Sequence, residues 1–282
     1  MKERPSFPAR INTGGAQGNA GRTARVPASM PARPAPALEP SVRPASQQSV
    51  ATRPNPTSPT APSTAYEAVR ARMVQKLAGQ GITDARVLSA MGTVERHRFV
   101  DSALMNQAYE DTSLPIGLGQ TISKPSVVAR MIELLLAAPA MAGRSGARLG
   151  RVLEVGTGCG YQAAVLGRVA DEVYSIERLR GLNERARANL RHFRLANVHL
   201  LLGDGMQGYA KGAPYAGIIA AAGGDVLPQT WIDQLAVGGR IVAPIRSAQG
   251  GQALVVIDRS NAGVQRSVLE AVNFVPLKSG IA

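Results

Sequence analysis

Residues 152–162 read Val-Leu-Glu-Val-Gly-Thr-Gly-Cys-Gly-Tyr-Gln: an apolar run, glycine at every second position, then residues able to open a helix. A strand feeding a glycine loop and then a helix is the first unit of an open α/β sheet. Glycine lets the backbone turn sharply and approach a ligand at the helix N-terminus. The feature therefore restricts the chain to folds that bind a ligand across the carboxyl edge of a mainly parallel sheet. A nicotinamide-dinucleotide loop would read G-x-G-x-x-G, to seat a pyrophosphate. Gly156, Gly158 and Gly160 follow G-x-G-x-G, one residue shorter, and Glu154 stands just upstream. A carboxylate is a poor neighbour for a pyrophosphate but suits the ammonium of an amino-acid moiety, directly or through water. The ligand expected is zwitterionic.

From Arg151 onward, short apolar runs alternate with helical stretches, as an α/β domain requires. Strands are expected at Arg151–Val155, Glu172–Ile176, Val198–Leu202, Gly217–Ala221 and Arg240–Pro244, and helices at Tyr161–Val169, Leu179–Phe193 and Gln229–Leu235. Ala253–Asp258 and Gln265–Asn273 close the chain; their linker is too short for a crossover helix, so they are expected to pair antiparallel. Glu177 ends the second strand, where an acid can accept from both ribose hydroxyls of an adenosine. Asp204, followed by Gly205, ends the third and is placed for an adenine edge. A glycine loop, a Glu and an Asp on three successive strand ends match what S-adenosylmethionine requires. The cofactor-side candidates are Glu154, Gly156, Thr157, Gly158, Gly160, Glu177, Asp204 and Gly205.

Upstream, the composition changes. Twelve of the 19 prolines precede Tyr66, and residues 1–65 carry 8 Lys/Arg against 2 Asp/Glu. This stretch has no sustained periodicity, so residues 1–65 are expected to be a disordered extension. Its prolines oppose the amphipathic helix of a transit peptide, and it lacks the apolar region of a secretory signal. Residues 66–282 then form the folded domain, with a helical part and a loop at 66–137 and the cofactor-binding sheet at 150–282. Val69, Met73 and Leu77 mark a first helix stopped by Gly79-Gln-Gly81; Asp84–Met91 and Pro125–Leu136 read as two more. No run approaches the roughly 20 apolar residues needed to cross a bilayer, so no membrane association is expected. Cys159 is the sole cysteine, and His97, His192 and His199 show no ligand spacing, so neither a disulfide nor a metal site is expected. Cytoplasmic placement fits that cysteine usage, and the absence of heptads makes a monomer the default.

The stretch between the early helices and the sheet is the most specific. Phe99-Val-Asp-Ser-Ala-Leu, Ala108-Tyr-Glu-Asp and Leu114-Pro-Ile-Gly-Leu-Gly-Gln-Thr-Ile-Ser-Lys-Pro resemble the protein-L-isoaspartate O-methyltransferase family. So do the glycine loop, Gly203-Asp-Gly, Leu235-Ala-Val-Gly-Gly-Arg-Ile-Val-Ala-Pro and Phe274-Val-Pro-Leu, which carry the resemblance from Tyr66 to Leu277. It implies a doubly wound Rossmann-like methyltransferase sheet, mostly parallel with an antiparallel C-terminal strand and helices on both faces. It also implies methyl transfer from S-adenosylmethionine to the free α-carboxylate of L-isoaspartyl residues in damaged proteins or peptides. The Gln-Thr-Ile-Ser segment corresponds to the family's active-site loop, so Ser123 takes the catalytic assignment and Thr121 and Ile122 line the same cleft. Ser123 would orient the carboxylate by hydrogen bonding; its alternative is an N-cap on the helix at Pro125.

The chain departs from the family pattern at Ala216-Gly-Ile, where Asp-Ala-Ile is common, and at Cys159, where Ser is common. It also departs at Ala221-Ala-Gly-Gly, where the family has Ala-Ala-Pro, and a lost proline is expected to loosen Gly223 and Gly224. A nucleic-acid methyltransferase is the rival suggested by the net charge of +13, but Ala220-Ala-Ala-Gly-Gly lacks the Asn/Asp-Pro-Pro-aromatic set that holds an exocyclic amine. A catalytically inactive binding protein of the same fold would show degraded glycines or acids, and here they are intact.

Overall fold

Apolar residues at helical spacing place the first elements on one side of the sheet. The computed structural model describes residues 63–248 and 250–282; the reading of residues 1–65 as disordered falls outside them, except that 63–65 open the first helix. The chain begins with α1 (Ser63–Gly79) and α2 (Ala85–Thr93), continues through a short antiparallel hairpin of β1 (Leu114–Gly117) and β2 (Gln120–Ile122), and enters α3 (Pro125–Leu136). Met73 and Leu77 are buried as their spacing requires, whereas Val69 on the same stripe is 41% exposed. Asp84 caps α2 by accepting from the Arg86 N–H at 2.9 Å.

The cap of α3 differs from the alternative offered for Ser123. The position before Pro125 is Lys124, whose side chain makes no cap bond. The Asp111 carboxylate instead accepts from both the N–H and the hydroxyl of Ser126, each at 2.9 Å. Asp111 comes from the loop before the hairpin, so the end of α3 and the hairpin are fixed to one another, and Ser123 is not used as a cap.

The second part alternates β3 (Leu149–Val155), α4 (Tyr161–Val169), β4 (Ala170–Glu177), α5 (Arg180–Leu190), β5 (Val198–Leu202), β6 (Tyr215–Ala220), α6 (Gln229–Gln234), β7 (Leu235–Arg246), β8 (Gln252–Ser260) and β9 (Gly263–Val272). The seven strands lie in the order β5-β4-β3-β6-β7-β8-β9. Pairing is parallel from β5 to β7 and antiparallel for β7–β8 and β8–β9. β7 starts five residues before the expected Arg240, with an irregular register between Tyr215 and Gly217 of β6. The order reverses between β3 and β6, so the crevice for a ligand opens at the carboxyl end of β3.

Period-2 alternation divides the core. Val152, Ile219, Val242 and Val256 face the helices α1 to α5, while Leu153, Ile218, Ile241 and Val255 face Trp231 of α6 and the neighbouring turns. Both faces are covered, the first far more thickly. No helix among the described residues is long and apolar enough to cross a membrane. Trp231 is fully buried and donates its indole N–H to the Gly205 carbonyl at 2.8 Å. Trp231→Ala should therefore cost about 3–5 kcal/mol through the cavity it leaves, read as a lower denaturation midpoint in urea. A loss below about 1 kcal/mol would show that α6 is not a structural wall of this face.

Candidate active site

The glycine loop turns where its sequence allows. Gly156, Gly158 and Gly160 take φ of 93°, 55° and 91°, values that L side chains rarely adopt. The Gly158 N–H donates to Glu177 Oε2 at 2.9 Å, and the Leu179 N–H donates to Glu177 Oε1 at 2.9 Å. The Glu177 carboxylate thus links the loop to the start of α5 and keeps lone pairs for a ligand. A cavity of about 520 Å³ opens above these ends, within the range of small-molecule and cofactor sites. Thr121, Ile122 and Ser123 line it from the hairpin side, facing Gly156, Thr157, Gly158, Glu177 and Gly205.

Three candidates lie outside the lining. A Cβ on Gly160 would meet Leu190 and Ala186 at 3.2–3.3 Å, so this glycine turns the chain and lets α4 pack on α5. Glu154 is completely buried behind the loop. Asp204 accepts from the Met206 N–H and the Gly280 N–H, both at 2.9 Å.

Arg96 was missed in the sequence reading. It is fully buried, donates from Nε to the Ala108 carbonyl at 2.7 Å and from Nη2 to the Ser123 carbonyl at 2.8 Å, and its guanidinium lies 4.7 Å from the centre of the Tyr161 ring. Burial lowers its pKa from the usual arginine value, with Tyr161 opposing, yet a guanidinium stays charged in proteins. His97 stacks on Tyr66 and bonds the Tyr109 hydroxyl at 2.7 Å, a packing role. No cluster of metal-ligating side chains occurs among the described residues.

With this geometry in place, comparison with known proteins is decisive: the family model for protein-L-isoaspartate(D-aspartate) O-methyltransferase matches residues 68–282. The chain belongs to that family. A protein-L-isoaspartate O-methyltransferase of Methylibium petroleiphilum is 54% identical over 278 residues, 98% of this chain and 96% of the relative. One from Leptothrix cholodnii is 60% identical over 213 residues, 75% of this chain and 74% of its own. A solved protein-L-isoaspartate O-methyltransferase superposes with a TM-score of 0.66 at 27% identity, covering 76% of this chain and 67% of that one. A candidate enzyme of the same kind from Plasmodium falciparum, solved with S-adenosyl-L-homocysteine, shares the fold with a TM-score of 0.62 at 24% identity, covering 74% and 98%.

The family match extends past Leu277, where the sequence reading stopped, and the structure gives a reason. The Arg180 N–H donates to the Ala282 carbonyl and the Ala282 N–H to the Arg178 carbonyl, each at 2.9 Å. With the Gly280 bond to Asp204, the last residues lie across the carboxyl ends of β4 and β5. The departure from the family pattern at Gly223 is also accommodated. Its N–H donates to Val275 and its carbonyl accepts from Leu277, both at 2.8 Å, and a Cβ there would collide with Gln252 at 2.3 Å. The loosening expected from the missing proline is countered by these bonds.

Behind the loop, Ser175 donates a short hydrogen bond to Glu154 Oε2 and lies 2.6 Å from the Thr157 hydroxyl, while Glu154 Oε1 has no partner. Burial pushes the Glu154 carboxyl up to about 8, with the bond from Ser175 and the neighbouring Gln162 amide opposing and the nearby Glu177 adding to the rise. A carboxyl whose folded pKa is raised contributes stability that is fully present below its unfolded pKa and lost as pH rises through the folded value. Glu154→Gln should accordingly gain melting temperature relative to the parent chain as pH goes from about 4.5 to about 8. A difference between the two that is independent of pH would contradict the buried, protonated state.

Proposed function

We propose that this chain transfers a methyl group from S-adenosylmethionine to the free α-carboxylate of L-isoaspartyl residues in damaged proteins and peptides, giving a methyl ester that collapses to a succinimide. The observation that carries the reading is the pairing, across one cavity, of the family's Gln-Thr-Ile-Ser hairpin with a glycine loop shaped for a cofactor. The residues fit that cofactor: the positive-φ glycines leave room for close approach, Glu177 retains acceptor capacity, and buried polar atoms beside the loop lack partners. Gly156, Thr157 and Gly158 would hold it through their backbone, since the Thr157 hydroxyl is engaged with Ser175. Glu177 would accept from the ribose, and Asp204 and Gly205 would flank the adenine. Thr121 and Ile122 would close the cleft from the hairpin. When bound, the cofactor supplies an electrophilic methyl group.

The residues of the chain have little proton chemistry to perform. A carboxylate with a pKa near 4 is already ionised at neutral pH, so no strong base is needed, and the cavity lining holds no histidine. The hairpin aligns the acceptor and excludes water. Ser123 is half-buried at the cavity wall, with its carbonyl held by Arg96; its hydroxyl would donate to the substrate carboxylate. No nucleophile is required, and no Ser-His-Asp set accompanies it. Within this reading the chain works as a monomer, in the cytoplasm, without nucleic acid; Cys159, buried and free, suits a reducing compartment.

The test is transfer of labelled methyl from S-adenosylmethionine to a short L-isoaspartyl peptide, with the L-aspartyl peptide as control and base-labile ester as product. Label on the isoaspartyl peptide alone is expected. Ser123→Ala should lower kcat/KM roughly 10–100-fold, the worth of a hydrogen bond to a charged group, with cofactor affinity unchanged. Equal labelling of both peptides, or full activity in the variant, would contradict the assignment.

A further inference from the structure

Arg96 opens the short turn Arg96–Phe99 and is fully buried, a place where arginine is rarely found unless it is paired. Taking a guanidinium out of water is costly, and an apolar side chain of similar length would fill the space without that cost. No acid among the described residues pairs with it; Asp111, which caps α3, attracts it only from a distance. Its donors go instead to two main-chain carbonyls, Ala108 at 2.7 Å from Nε and Ser123 at 2.8 Å from Nη2. The buried charge holds backbone, and the backbone it holds includes the residue assigned to the acceptor carboxylate.

The base of this anchor is fixed by packing. Phe99, at the other end of the turn, is fully buried, lies edge-on to the Tyr161 ring at 5.5 Å and stacks on Phe193 at 5.2 Å. The Arg96 guanidinium itself lies 4.7 Å from the centre of the Tyr161 ring, where a cation is attracted to an aromatic face. Tyr161 is the first residue of α4, directly after Gly160. The turn and its arginine are therefore tied to the helix that the glycine loop opens. At the far end, Ser123 follows β2 and lines the cavity. Its hydroxyl bonds to nothing among the described residues, so the direction in which it points depends on how its own peptide is held.

We infer that Arg96 is a positioning residue for methyl transfer: by fixing the Ser123 carbonyl relative to Tyr161, it sets the direction of the Ser123 hydroxyl and its distance from the glycine loop. The inference rests on the function proposed above and adds to it a residue outside the cavity lining. Methyl transfer depends on in-line alignment, and a displacement of about 1 Å caused by a change away from the chemistry can cost roughly 100-fold in rate. A planar fork that bonds two carbonyls at once fixes an orientation that an ammonium on a flexible stem does not. Lysine at this position keeps the charge and loses the fork.

The test is a double-mutant cycle of Arg96→Lys with Ser123→Ala, read by labelled methyl transfer to the L-isoaspartyl peptide at saturating S-adenosylmethionine. Arg96→Lys alone should lower kcat roughly 10–100-fold. The peptide KM and the affinity for S-adenosyl-L-homocysteine should each change less than about threefold. Made in the Ser123→Ala chain, the same change should cost less than about threefold, because the group it positions is already gone. Arg96→Met, which keeps a similar stem and removes the buried charge, should give the same pattern, and it carries the test if the lysine variant does not fold. Additive losses in the cycle, loss of cofactor affinity in step with kcat, or full activity in either Arg96 variant would overturn the inference. A parent chain that fails to label the isoaspartyl peptide would instead bring down the function proposed above, and this inference with it.

Discussion

The active site depends on a charge taken out of water. Arg96 lies fully buried where the helical part meets the glycine loop, and desolvating a guanidinium is expensive unless its donors are satisfied. Carbonyls of Ala108 and Ser123 meet two of its nitrogens, Nη1 is left without a hydrogen-bond partner, and the face of Tyr161 meets its cationic plane. Tyr161 opens the helix that follows the glycines, and Ser123 ends the hairpin that faces them. One side chain thus joins the hairpin to the helix that follows the glycine loop, and the Asp111 cap on α3 secures the same hairpin from behind. Precision in methyl transfer rests on alignment, so a rigid connection between these loops matters more than any titrating group.

The cofactor side follows from topology. Parallel strands deliver their carboxyl ends to one edge, and the reversal of order between β3 and β6 opens a crevice there. Glu177 braces the loop to α5, Trp231 braces Gly205 from the opposite face, and the last residues of the chain lie across Asp204. Glu154 lies fully buried behind the loop, with the Ser175 hydroxyl on one of its oxygens.

Local signals carried much of this into the sequence. Pro125–Leu136 and Tyr161–Val169 appear with the bounds their periodicity and breakers imply, and Val198–Leu202 does so among the strands. The glycine spacing and the acids at strand ends are likewise local, and they identify a crevice before any packing is known. What was hidden depends on contacts distant in sequence. Arg96 reads as one charge among several in Glu95-Arg-His-Arg, and nothing local says that it reaches Ser123, 27 residues on. Asp111 looks like a loop acid until it meets Ser126, and the tail's bond to Asp204 spans 76 positions. Gly160 shares its motif with Gly156 and Gly158, yet the packing of α4 on α5 gives it a different task. The resemblance to a known family, not periodicity, is what proposes a role for the hairpin.

The most direct test is a crystal structure of the chain with S-adenosyl-L-homocysteine and an L-isoaspartyl peptide bound together. The expected result has the isoaspartyl α-carboxylate within hydrogen-bonding distance of the Ser123 hydroxyl, the cofactor sulfur facing it from the glycine loop, and Arg96 still on the Ser123 carbonyl. A peptide carboxylate held elsewhere, or a cofactor seated away from Gly156 and Gly158, would contradict the joining of the two halves at Ser123.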